Sequence, residues 1–136
     1  MEAWHRFLDH TSEVELQVGA PDFPGLLAEA GRALSGMILR GAPARAAGEP
    51  RTIEVGSHDR EALLVDWLNE ILYLAEVDLW TPVEIEVAEA SPTHLVAHGR
   101  GVSLADASSQ VKAATFHGLR IRDLSHGLEA EVILDV

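Results

Sequence analysis

Along the first twenty residues the side chains alternate. Val14, Leu16 and Val18 fall on one face and Glu13, Glu15 and Gln17 on the other, the period of a half-buried strand. Met1 to Leu8 reads as a weaker, earlier strand anchored by Trp4. The period then changes. Asp22 suits an N-cap and Pro24 a first turn, so Phe23 to about Leu39 is predicted as a helix burying Leu26, Leu27, Ala30, Leu34 and Ile38, with Gly31 and Gly36 weakening it. Gly41 to Pro50 has the composition of a surface loop. Arg51 to Val55 resumes the strand pattern. In Asp59 to Glu76, Leu64, Trp67, Leu68, Ile71, Leu72 and Ala75 recur at three-and-four spacing, which predicts the longest amphipathic helix, capped by Ser57 or Asp59.

Beyond Pro82 the pattern returns to period two. Val83, Ile85 and Val87 alternate with Glu84, Glu86 and Ala88, and His94 to Arg100 follows as a hairpin partner. Val111 to Ile121 and Leu128 to Leu134 are two further strands around Ser125-His126-Gly127. The order is β-β-α-β-α-β-β-β-β, with both helices in the first half. That predicts an α+β fold of two layers, a largely antiparallel sheet carrying two helices. A chain of 136 residues with 47% apolar content fits one domain spanning 1–136.

Composition narrows the chemistry. The absence of cysteine removes disulfides, thiolate ligands and thiol nucleophiles. No stretch approaches the about 18 apolar residues of a membrane span, and no export signal is visible, so a cytoplasmic location is expected. Ten basic against 22 acidic residues give a net charge of −12. Such a surface repels a phosphate backbone, so no direct nucleic-acid binding is expected. It suits instead a basic protein partner or a hard cation.

Asp9-His10-Thr11-Ser12-Glu13 stands at the mouth of a strand, and Leu134-Asp135-Val136 closes the last one. Parity puts Glu13 and Asp135 opposite the apolar faces of their strands. Should those ends meet, two side-chain carboxylates and the oxygens of Val136 converge. Three anionic oxygens without sulfur favour calcium, magnesium or manganese over zinc or copper. The same residues also read as solvated strand-end carboxylates. His94 and His98 share a strand face, yet no zinc spacing links them. No nucleophile elbow, dinucleotide fingerprint or phosphate-binding loop occurs. Asp66, Asn69, Glu70 and Tyr73 form a polar strip on the long helix, a binding face or a solvated one, while Trp67 and Trp80 read as packing residues.

Four blocks taken together resemble the archease family: Phe7 to Glu13, Asp66 to Leu74, Lys112 to Leu119, and Leu134-Asp135-Val136. The resemblance implies a small α+β protein cofactor that activates the RtcB-type RNA ligase of transfer-RNA splicing and RNA repair, promoting its guanylylation and multiple turnover. RNA is then handled by the partner. It also implies a metal site, calcium above all, made by Glu13, Asp135 and a backbone oxygen of Val136. The family's usual first ligand is Asp. Glu13 carries an extra methylene and has to bind from further back or with both oxygens. His10, Lys112 and His117 match the family's motifs as supports of the site or of the partner contact. A metal-dependent hydrolase using His10 or His117 as base, and a chaperone-like scaffold with a structural cation, are the alternative readings.

Overall fold

In a computed structural model that describes residues 1–107 and 111–136, the chain forms seven strands and two helices in the predicted order. They are β1 (Trp4–His10), β2 (Glu13–Ala20), α1 (Phe23–Ile38), β3 (Ala47–Gly56), α2 (Arg60–Val77), β4 (Trp80–Ser91), β5 (His94–Ser103), β6 (Ala113–Leu124) and β7 (Gly127–Asp135). Every strand pairing is antiparallel. The strands divide into two sheets, β1-β2-β7-β6 and β3-β5-β4. Side-chain parity says which face of a strand is buried but not which sheet it joins. None of the helices among the described residues is long and apolar enough to cross a membrane.

Both helices pack against both sheets. α1 lies on β2 and β4, and α2 lies on β6, β4 and β3. Their caps follow from sequence: Asp22 Oδ1 accepts from the Gly25 N–H at 2.8 Å and Asp59 Oδ1 from Ala62 at 2.7 Å, each satisfying an orphan donor of the first turn. Ser57 does not cap. Its hydroxyl donates to Asp66 at 2.7 Å.

The core combines the inward residues of β2 and β7 (Leu16, Val18, Ala130, Val132 and Leu134) with the apolar stripes of α1 and α2. Trp67 lies at its centre, fully buried, with its indole N–H donating to the Leu27 carbonyl at 2.8 Å. Gly31 on α1 admits it. A Cβ there would stand 2.9 Å from the Trp67 ring and 2.8 Å from Ile85. The glycine that weakens α1 as an isolated helix is what lets α2 and β4 approach it.

Two strands start earlier than the pattern suggests. β3 begins at Ala47, inside the expected loop, with a register shift before Arg51, and β4 begins at Trp80, ahead of Pro82. Both are edge strands, where a proline such as Pro50 or Pro82 removes no obligatory ladder bond. Arg51 stacks on Trp80, 4.3 Å from the ring. Trp4, the expected anchor of the first strand, lies opposite Gly19 of β2 and covers the place a side chain would take there.

Candidate metal centre

The turn Thr11-Ser12 reverses the chain between β1 and β2, with Ser12 at φ 65°. This reversal sets His10 against Glu13, and the pairing of β2 with β7 sets Glu13 against Asp135. On the other side of β7, Asp135 pairs with Ala113 of β6. His10, Glu13, Asp135 and Ala113 therefore form one row across the end of the four-stranded sheet. Their side chains share a face, the one turned away from the core residues Val14 and Leu134.

The chain end is fastened at this row. The Val136 N–H donates to the Ser12 carbonyl at 3.4 Å, and the Lys112 N–H to the Asp135 carbonyl at 2.7 Å. The first of these makes Ser12 and Val136 a hydrogen-bonded pair, and hence Glu13 and Asp135 the neighbouring non-hydrogen-bonded pair. Residues of that kind have Cα atoms about 4.5 Å apart and the closest side chains in an antiparallel ladder.

Electrostatically the two carboxylates differ from their neighbours. On the same face Arg122 meets Glu129 at 3.1 Å and Glu131 at 3.4 Å. Glu15 accepts from Gln17 at 2.6 Å and lies 3.8 Å from the His10 ring nitrogen. Among the described residues, neither Glu13 nor Asp135 has a side-chain hydrogen bond or ion pair. Two like charges directly opposite on a ladder are destabilising, and a divalent cation is the chemistry that reverses the sign. The groups that could serve as donors are all oxygens: two carboxylates and the Val136 backbone oxygen. That set fits a hard cation such as calcium or magnesium, which needs neither sulfur nor imidazole. Among the described residues no three Asp, Glu or His side chains cluster for metal binding, so a cation held here would take any third donor from Val136 or solvent.

The remaining candidates fall in different places. His10 belongs to the carboxylate row, half exposed and turned to Glu15. Lys112 precedes β6 rather than lying in it, and touches the site through its backbone. His117 is exposed in a bulge of β6 between the pairs Thr115–Ile133 and Arg120–Glu131, further along the strand. His94 and His98 belong to the other sheet, where His94 meets Glu54 at 2.7 Å and His98 meets Thr52 at 3.2 Å.

The polar strip of α2 is not uniformly a solvated face. Asn69 Nδ2 donates to the Ala114 carbonyl at 3.1 Å, and its Oδ1 accepts from the Ala114 N–H at 2.8 Å. One side chain thus completes the free edge of β6 as a strand would. Asp66 is held by Ser57, whereas Tyr73 is 55% exposed. In sequence Asn69 is one of four residues of that strip and part of the Asp66 to Leu74 block, and nothing there singles it out from Asp66, Glu70 and Tyr73. The four blocks that carry the family resemblance are brought together here: Glu13 beside Asp135, Asp135 beside Ala113, and Ala114 on Asn69.

Asn69→Ala should remove both bonds and uncover two backbone groups one residue from the carboxylate row, costing about 2–3 kcal/mol. Hydrogen exchange would show it as selective loss of protection at Ala114. Protection unchanged there would mean that α2 holds β6 by apolar packing alone.

Residues 5–136 match the Archease protein family. The Protein archease of Methanothermobacter thermautotrophicus is 33% identical over 96 residues, 66% of this chain and 69% of its own length. That of Methanosarcina barkeri is 29% identical over 97% of this chain and 95% of its own. Among solved structures, protein 1598 of Methanobacterium thermoautotrophicum superposes with a TM-score of 0.74 at 27% identity, covering 97% of this chain and 98% of that one. An archease from Thermotoga maritima, described as a possible chaperone, gives 0.65 at 17% identity with full coverage of both chains, a likeness of fold.

Proposed function

Because the chain belongs to the archease family, we propose that it is a non-catalytic protein cofactor of an RtcB-type RNA ligase, promoting guanylylation and repeated turnover and carrying a divalent cation. The observation that carries this reading is the unpaired Glu13–Asp135 couple at the end where all four family blocks converge. Glu13, Asp135 and Val136 would hold the cation, calcium above all. When bound, it would supply positive charge able to neutralise phosphate oxygens.

The chain's own residues account for the rest. The β1–β2 reversal and the Val136–Ser12 bond bring the donors together, and Asn69 steadies β6 beside them. A charge of −12 leaves RNA to the ligase and favours a basic face on it. The protein acts in the cytoplasm in this reading. A scaffold whose cation only seals the chain end to a strand is the second reading, favoured by the Val136–Ser12 clasp.

The test is RNA joining by limiting ligase with and without this protein in calcium- or magnesium-containing buffer. More than one product per ligase molecule only when the protein is present is expected. Turnover that stays the same overturns the activator reading, and a calcium-dependent melting shift without it selects the scaffold.

A further inference from the structure

The Thr115 hydroxyl oxygen is buried and has no hydrogen-bond partner, the one side-chain polar atom in that condition among the described residues. A buried polar group normally finds a partner, because burying it alone forfeits its hydration. Its position is specific. Thr115 is two residues along β6 from Ala113, the residue opposite Asp135, so its side chain shares the face of Glu13 and Asp135. Thr115 pairs with Ile133, itself two residues before Asp135. In the bulge that follows, Gly118, at φ 68°, comes close enough to Ile133 that a Cβ on it would stand 3.6 Å from that side chain.

Thr115 and Asp135 are thus diagonal neighbours, whose Cα atoms stand about 7–8 Å apart. That is too far for the hydroxyl to share a ligand with the carboxylate directly. It matches a chain of one cation and one water. A hard cation stands about 2.4 Å from its oxygens, including a bound water, and that water reaches an acceptor about 2.8 Å further on. Water on a divalent cation is polarised and donates strongly outward.

We propose that Thr115 is a positioning residue of the carboxylate site, its Oγ1 accepting a hydrogen bond from a water of the cation held by Glu13 and Asp135. This rests on the cation reading above.

The test compares wild type with Thr115→Val and Thr115→Ser by calorimetric calcium titration and by melting in chelator and in excess calcium. Valine keeps the shape and removes the acceptor, and serine keeps the acceptor. Thr115→Val is expected to melt no lower than wild type in chelator, since an unsatisfied group is gone, yet to bind calcium about fivefold more weakly. Thr115→Ser should bind as wild type does. Wild-type calcium affinity in Thr115→Val overturns this inference alone. A wild type that responds to neither calcium, magnesium nor manganese overturns the cation reading and this inference with it.

Discussion

Neutralising the carboxylate couple with Glu13→Gln and Asp135→Asn together is expected to abolish ligase activation while raising the melting temperature in chelator. The two effects have opposite signs for one reason. Directly opposed like charges on an antiparallel ladder cost up to about 1 kcal/mol, and neither residue has a partner to offset that among the described residues. Removing both charges should raise melting by about 1–4 °C. The response to the cation is larger. A ligand at a hundred times its dissociation constant stabilises by about 2.7 kcal/mol, so wild type should gain on the order of 8 °C in excess calcium. The double variant should gain nothing. Scanning calorimetry with and without calcium, beside a turnover assay, checks all of this. A double variant that is less stable in chelator would show that the carboxylates are held by the fold, and retained activation would show that the cation is not used. Glu13→Asp tests the departure from the family's usual residue. The shorter side chain is expected to keep the response.

The apolar half of this arrangement is legible in sequence. The alternation in Glu13 to Val18 and in Leu128 to Leu134 determines which residues face the core, so Glu13 and Asp135 have to face outward, and the buried set of α1 can be named from its spacing. Parity does not say that β2 pairs with β7, a contact between the two ends of the chain, and in sequence only the family resemblance links those residues. Asn69 shows the complementary limit. A polar residue on an amphipathic helix reads as solvated unless one knows that a strand edge lies beside it. Gly31 meets the same limit: its cost to an isolated helix is a local property, whereas its use, clearance for Trp67 and Ile85, exists only after packing. Pro50 and Pro82 delay the predicted starts of β3 and β4 because proline argues against a central strand, and both strands are edges.

Trp67→Ala is expected to lower stability by about 3–5 kcal/mol, more than any other substitution named above. The side chain is completely buried where α1 and α2 meet β4. Deleting it leaves a cavity whose walls include the backbone at Gly31, and a glycine has no side chain with which to fill it. The Leu27 carbonyl loses the indole donor as well, a further cost where no water can reach it. Trp67→Phe separates the two contributions: it refills most of the volume without restoring the N–H, and should recover more than half of the loss. The site enters through α2. Trp67 is two residues from Asn69, which holds Ala114, so a core that relaxes around Trp67 lets the β6 edge move relative to Asp135. Denaturant unfolding should therefore show the stability loss together with weaker calcium affinity in Trp67→Ala. A calcium affinity equal to wild type at that reduced stability would mean that the carboxylate row is set by the β2–β7 ladder alone, with α2 contributing to the fold and not to the site.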